Sequence, residues 1–104
     1  MVEIIIVDRA QEDLVEIAEY WGKFSVKSAR IHLDKIYEKI ELLRTFPRLG
    51  KVFEELNYPN VREIIVGPYR IFYHILSAQK IHILAVHHSA LPFDWDEESF
   101  YQYL

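Results

Sequence analysis

Arg70 and His87 are the residues of this chain whose side chains and spacing best suit chemistry on a phosphate or a proton. They lie in the stretch 61–88, VREIIVGPYRIFYHILSAQKIHILAVHH, where β-branched and aromatic residues fill three runs separated only by Gly67-Pro68 and by residues 77–80. If both separators are tight antiparallel turns, Arg70 pairs with Ile65 on one side and with His87 on the other. The pattern therefore predicts a guanidinium beside an imidazole, a combination that can bind an anion or take part in acid–base catalysis.

The same pairing sorts the three strands into two faces, because side chains alternate along a strand. One face, which we name the core face, carries Ile64, Val66, Tyr69, Ile71, Tyr73, Ile75, Leu84 and Val86, with Arg62, His82 and His88 near its ends. The other face, which we name the working face, carries Val61, Glu63, Ile65, Arg70, Phe72, His74, Leu76, Ile81, Ile83, Ala85 and His87. A slip of one residue in either turn would exchange the faces of one strand.

Arg70, His87 and His88 are the catalytic candidates, and each has a structural alternative. Arg70 places a permanent charge among apolar neighbours, which favours a functional role. Its alternative, structural role is an ion pair with Glu63 or with a loop carboxylate. His87 could act as an acid, a base or a phosphate ligand, or bond the backbone at a strand end, whereas His88 lies at the sheet margin, where a structural role is favoured. Histidines such as His74, His87 and His88 on adjacent strands are a weak metal signal, so we predict no metal site and no cofactor.

Composition limits the class of protein. A chain of 104 residues with 51% hydrophobic residues suits a single domain spanning 1–104. The absence of cysteine, and an N-terminus without a basic region or a long apolar run, predict a cytoplasmic protein without a membrane segment. The formal net charge of -4 argues against nucleic-acid binding through a broad basic surface.

The first half of the chain predicts a strand and two helices. Residues 3–7, EIIIV, form an apolar run typical of a strand covered on both sides. Asp8, with Gln11 three residues later, predicts an N-cap for a helix that Gly22 ends. Ser25 predicts the cap of a second helix ending at Phe46, before a proline.

The apolar stripes of the two helices predict an antiparallel hairpin packed on the core face. The expected fold is therefore α+β, in the order β-α-α-β-β-β, with a largely antiparallel sheet. Residues 51–60 are interpreted as a surface loop, although residues 52–56 could form a short edge strand. Residues 94–97 predict a short C-terminal helix, and the aromatic tail that includes Trp95 and Phe100 must either fold back or bind a partner.

Four segments carry a resemblance to a known family. They are Pro47-Arg-Leu-Gly50, Val61-Arg-Glu-Ile-Ile-Val-Gly67, Tyr69-Arg-Ile-Phe-Tyr73 and Ile83-Leu-Ala-Val-His87. Their order and spacing, with the predicted element order, resemble the RelE/ParE family of bacterial toxins, which includes plasmid stabilisation proteins of type II toxin–antitoxin systems. The resemblance implies a growth-inhibiting toxin, encoded beside an antitoxin that wraps it, that either cleaves messenger RNA on translating ribosomes or poisons DNA gyrase.

The two branches of that family make different demands on the chain. Arg70 matches an arginine of the ribonuclease branch, but other cations of that branch would fall near Val61, Glu63 and Ser89, where none stands. The gyrase-poisoning branch is more similar in VREIIVGPYRIFY and in the histidine that ends the last strand, although its usual arginine shortly afterwards is absent here. The first hypothesis is therefore a ParE-like toxin that inhibits gyrase by binding. The alternatives are a ribosome-dependent endoribonuclease using Arg70 and His87, which is the only enzymatic reading, and a detoxified relative that still binds an antitoxin.

The resemblance also implies partners. The cognate antitoxin is expected to use helix-in-groove or strand-addition contacts with the working face and the aromatic tail. The residues we assign to partner binding are Glu63, Phe72, His74, Trp95 and Phe100. The sequence leaves a homodimer open.

Overall fold

Two helices and a mixed sheet make up the described part of the chain. The computed structural model describes residues 2–56, 58–91 and 100–104. Its helices are α1 (Asp8–Gly22) and α2 (Val26–Thr45), and its strands are β1 (Glu3–Ile6), β2 (Lys51–Val52), β3 (Val61–Val66), β4 (Tyr69–Ser77) and β5 (Lys80–His88). Within this region the strands form one sheet in the order β1-β5-β4-β3-β2, in which only the β1–β5 pair is parallel. The predicted α+β class and the helical hairpin are confirmed.

The helix starts show where local sequence rules hold and where they fail. Ser25 caps α2 as predicted, because its hydroxyl accepts a 2.9 Å hydrogen bond from the backbone N–H of Ser28. The predicted capping box at α1 is wrong: Asp8 is already helical, Val7 is the N-cap, and no side chain caps the helix. Gln11 instead donates from Nε2 to the carbonyl of Ile6 at 2.8 Å, which ties the helix to the end of β1. Asp8 still places a negative charge in the first turn, where the helix dipole favours it.

The hairpin covers the core face through the apolar stripes of both helices. Buried residues of α1 and α2 pack on the sheet in one cluster: Ala10, Leu14, Ile17, Ile36, Ile40, Leu43, Ile64, Tyr69, Ile71, Tyr73, Ile81, Ile83 and Val86. β1 was predicted to be covered on both sides, but it is an edge strand, and Ile4, Ile5 and Ile6 are only partly buried. The apolar run therefore predicted the strand correctly, but the central position that it suggested in the sheet is wrong.

A β-bulge in β5 corrects the predicted faces. Phe72 pairs with Ala85, but the next residue, Tyr73, pairs with Ile83, so Leu84 is an extra residue. The bulge reverses the alternation in the first half of β5. Ile81 and Ile83 consequently lie under the helices, whereas Leu84 joins Ala85 on the working face.

The working face has its own apolar cover, to which Phe100 of the aromatic tail contributes by folding back. Phe53, Leu56 and Phe100 pack against buried strand residues in a second cluster that contains Val61, Phe72, Leu84 and Ala85. Residues 51–60 are accordingly more than a surface loop, since they hold β2 and a 3₁₀ turn at Glu54–Leu56. The capping box at 94–97, which predicts the start of a short C-terminal helix, lies outside the described residues. Phe100 and Tyr101, which follow it, have helical backbone.

No helix within 2–56, 58–91 and 100–104 has the length and hydropathy that crossing a bilayer requires.

Candidate functional site

Four charged or titratable side chains form a row across the working face. Lys51 of β2 pairs with Glu63 of β3, Glu63 reaches Arg70 of β4, and Arg70 pairs with His87 of β5. The predicted pairing of Arg70 with Ile65 and with His87 is confirmed. The turn at Gly67-Pro68 is tight, and the two register shifts between β4 and β5, at Phe72/Tyr73 and at Ile75/Ser77, cancel before Arg70 is reached. The structure therefore places two of the three catalytic candidates side by side.

The Glu63 carboxylate holds the Arg70 guanidinium. Nη2 of Arg70 lies 3.1 Å from Oε1 and 3.2 Å from Oε2 of Glu63, and the side chain of Glu63 is only 7% exposed. Lys51 contributes a second, longer contact to Glu63 at 3.9 Å. The Arg70 guanidinium also lies 5.0 Å from the centre of the Phe72 ring, within cation–π range. Of the two readings of Arg70, the ion pair with Glu63 is the one that the contacts bear out.

The imidazole of His87 bonds the loop after β5. Its Nε2 lies 3.0 Å from the carbonyl oxygen of Leu91. A carbonyl can only accept, so Nε2 carries the hydrogen, and in the neutral ring Nδ1 has the lone pair. This hydrogen bond to the backbone at the end of a strand is the structural role that the sequence analysis sets beside a catalytic one for His87.

His88 belongs to the opposite face. It pairs with Tyr69, and its ring meets the Tyr69 ring edge-on with the centres 5.4 Å apart. Nδ1 of His88 accepts a 3.1 Å hydrogen bond from the backbone N–H of Ala90. His88 therefore lies on the face of the sheet opposite Arg70.

The predicted partner-binding residues are mostly covered within the chain. Phe72 and Phe100 are buried in the second cluster, and His74 is buried beside the Tyr58 ring, with the ring centres 5.6 Å apart. Glu63 is engaged by Arg70, and Trp95 lies outside the described residues. A partner could contact Phe72 directly if its cover, which includes Phe53 and Phe100, moved aside.

His74 is a buried imidazole paired with another across the strands. It lies opposite His82, and its Nδ1 is buried without a hydrogen-bond partner in the described part of the chain. Burial, and to a smaller degree the neighbouring His82, lowers the pKa of His74. The neutral form is therefore the stable one in the folded chain.

A second polar site, which the sequence did not reveal, lies between α1 and the end of β5. Oδ2 of Asp13 accepts a 2.9 Å hydrogen bond from the backbone N–H of Val86, beyond the point where β1 stops pairing with β5. Trp21, near the end of α1, donates from Nε1 to the hydroxyl of Tyr69 at 2.6 Å. Nothing in the local pattern of either residue signals these contacts, because each joins residues far apart in sequence.

The described residues contain no group of three or more histidine, aspartate or glutamate side chains arranged to hold a metal ion. On the working face, Glu63 is bound to Arg70 and His87 is bound to the backbone carbonyl of Leu91.

A comparison with protein families identifies one that covers most of the chain. Residues 4–91 match the family described as ParE toxin of type II toxin–antitoxin system, parDE. A solved structure titled "Chromosomal ParDE TA system from P. aeruginosa" superposes with a TM-score of 0.70 at 18% identity, covering 85% of this chain and 96% of that one. At that identity the superposition supports the fold alone. A search of curated proteins returned no match. Because the family match spans most of the sequence and the fold agrees with it, the chain belongs to the ParE toxin family of type II toxin–antitoxin systems, within the RelE/ParE superfamily.

Proposed function

We propose that this toxin inhibits DNA gyrase by binding it, rather than by cutting RNA. Membership in the ParE family implies a ParD-type antitoxin as the cognate partner. The target is our proposal, and the observation that carries it is the ion pair between Glu63 and Arg70.

The ion pair counts against phosphate chemistry at Arg70. Cleavage of RNA by transesterification needs cations that stabilise the extra negative charge on the phosphate in the transition state. Arg70 is the only arginine that the resemblance assigns to that role, and its charge is offset by a carboxylate that is 6% exposed. A phosphate approaching Arg70 would also meet the field of Glu63, which repels it.

The ribonuclease alternative is favoured by one specific observation, the direct pairing of Arg70 with His87. Nδ1 of His87 has the lone pair that a general base needs when the ring is neutral. RNA cleavage would still need a second cation near the phosphate. Residues 89–91, which follow β5, are Ser-Ala-Leu and supply none. Lys51, the other cation of the row, is directed to Glu63.

The test compares two readouts on the purified toxin. Supercoiling by gyrase should fall with increasing toxin, and cleaved gyrase–DNA complexes should accumulate, whereas messenger RNA on translating ribosomes should stay intact. His87→Ala should leave gyrase inhibition within about threefold of wild type, since a binding poison needs no general base. Arg70→Ala should weaken gyrase inhibition more than Arg48→Ala does, its matched control, because Arg48 is exposed and lies outside the row.

Either alternative gives a distinct result. Ribosome-dependent cuts that fall about a hundredfold with His87→Ala would replace the gyrase proposal with the ribonuclease. A wild-type protein that binds a ParD-type antitoxin but affects neither gyrase nor messenger RNA would identify a detoxified relative.

A further inference from the structure

A cleft between α1 and the end of β5 combines aromatic walls with two carboxylates. It has a volume of about 500 Å³, and its lining includes Asp13, Glu16, Tyr20, Trp21, Tyr69 and Leu91. Tyr20 and Leu91, at the edge of the cleft, are 53% and 61% exposed, so a partner can contact both. The site lies at the helix side of the sheet and is separate from the ion pair of Glu63 and Arg70.

The aromatic wall is held in place by contacts behind it. The hydrogen bond from Trp21 to the Tyr69 hydroxyl fixes both rings, and His32 stacks on Trp21 with the ring centres 3.7 Å apart and the planes 12° from parallel. Tyr20 meets Trp21 edge-on at 5.2 Å. A ligand would therefore find this wall formed before it binds, which lowers the entropy lost on binding.

The charge of the cleft is negative. Asp13 and Glu16 lie in it, and the exposed side of α1 continues the same sign with Asp8, Glu12 and Glu19. The groups that oppose this charge are Arg9, one turn before Asp13, and the neighbouring imidazole of His87. The local field consequently attracts a cation.

Asp13 is poorly solvated for a carboxylate. Burial raises its pKa, and the hydrogen bond from Val86 and the charge of Arg9 only partly counter that effect. A cation that enters the cleft would restore favourable interactions to the ionised form. The Asp13 carboxylate should therefore attract an incoming cation more strongly than a carboxylate at the open surface would.

We propose that this cleft binds an arginine side chain from a protein partner, with Asp13 and Glu16 holding the guanidinium against the wall of Tyr20, Trp21 and Tyr69. A guanidinium suits this lining better than an ammonium does, because it is planar, weakly hydrated and able to stack on aromatic rings while bonding a carboxylate. Exposed Tyr20 and Leu91 would then contact apolar residues that flank the arginine. The proposal does not depend on whether gyrase is the target.

The direct test uses short peptides as probes and the full-length protein observed by NMR. Acetyl-Leu-Arg-Leu-amide should shift the indole N–H of Trp21 and the backbone amide of Val86. The matched peptide with citrulline, which keeps the shape and loses the charge, should bind at least about fivefold more weakly, and the lysine peptide should fall between them. Raising the salt concentration should weaken the arginine peptide most.

Variants of α1 complete the test. Glu16→Gln should weaken the arginine peptide several-fold, whereas Glu12→Gln, the same charge change one turn earlier on the helix and outside the cleft, should not. Asp13→Asn should also weaken binding, and Glu16→Gln keeps the test decisive if loss of the Val86 contact unfolds the Asp13 variant. Equal binding of the arginine and citrulline peptides, equal effects of Glu12→Gln and Glu16→Gln, or shifts confined to residues outside the cleft would each overturn the proposal.

Discussion

The backbone N–H of Gly50 donates a 2.9 Å hydrogen bond to the hydroxyl of Tyr73, a buried residue in the middle of β4. The same hydroxyl donates to the carbonyl of Pro47 at 2.7 Å, and Nη1 of Arg62 donates to the carbonyl of Gly50 at 2.6 Å. These residues belong to three of the segments that carry the family resemblance. One tyrosine hydroxyl therefore fixes the turn after α2 onto the sheet.

Tyr73→Phe should lower the free energy of unfolding by about 1–3 kcal/mol, because it leaves the N–H of Gly50 and the carbonyl of Pro47 without their buried partner. Urea denaturation of the variant and the wild type at neutral pH measures the change. Tyr37→Phe removes a hydroxyl from an exposed tyrosine of α2 and should change stability by less than about 0.5 kcal/mol. Similar losses in the two variants would contradict the role given to Tyr73.

Gly50→Ala should destabilise the protein more than an ordinary surface substitution does. A Cβ at Gly50 would lie 2.5 Å from the carbonyl oxygen of Glu63 and 2.8 Å from the Tyr73 hydroxyl, so the backbone would have to move. We expect a loss of about 2–3 kcal/mol in urea denaturation. Gly22→Ala is the control, since a Cβ there meets no atom within 4 Å, and its effect should stay within about 1 kcal/mol. A fully tolerated Gly50→Ala would show that the close approach is unimportant.

The ion pair of Glu63 and Arg70 should be energetically coupled. A double-mutant cycle with Glu63→Gln and Arg70→Met is expected to yield a coupling energy of about 1–2 kcal/mol, because the carboxylate is buried although the arginine side chain is 26% exposed. The reference cycle uses Arg44 and Glu41, an exposed pair on α2, and should give less than about 0.5 kcal/mol. Coupling energies that do not differ would show that burial of Glu63 adds nothing to the pair.

Stability should fall in mild acid through His74. Burial lowers its pKa from the ordinary 6.5, so the unfolded chain binds the proton more readily than the folded chain does. The contribution of neutral His74 is complete above pH 6.5 and is lost as the pH falls from there toward the lowered pKa of the folded state. Within that window His74→Phe should reduce the dependence of the unfolding free energy on pH by up to about 1.4 kcal/mol per pH unit. Urea midpoints measured at intervals between neutral and mildly acidic pH give the slope, and an unchanged slope would contradict the assignment.

Phe100 should be essential to the cover of the working face. It is 1% exposed and packs near Phe72 with the ring centres 6.2 Å apart, and Arg9 lies over its ring at 4.8 Å. Phe100→Ala is expected to cost about 2–4 kcal/mol in urea denaturation, whereas Tyr101→Ala, at a residue 43% exposed, should cost less than about 1 kcal/mol. Binding of a hydrophobic dye to the Phe100 variant would report the uncovered face. Equal and small effects of both substitutions would show that the tail does not stabilise the sheet.

The sequence by itself determined the features that repeat locally. The periods of two and of about 3.6 residues identified the three long strands and both helices, and Ser25 identified the start of α2. The pairing of Arg70 with His87 also agrees with the register expected from sequence, because the two register shifts between that pair and the turn after Ser77 cancel. The resemblance to the toxin family rested on the same local segments.

Only the tertiary structure decided which side chains meet across those elements. The extra residue Leu84 places Ile81 and Ile83 under the helices, a choice that depends on the whole core rather than on the strand itself. Three further features depend on contacts that local sequence periodicity does not predict. They are the burial of Glu63 beside Arg70, the contact of Asp13 with Val86 and the cover supplied by Phe100. Secondary structure follows from short-range sterics and hydrogen bonds, whereas packing and long-range electrostatics settle the chemistry of the site.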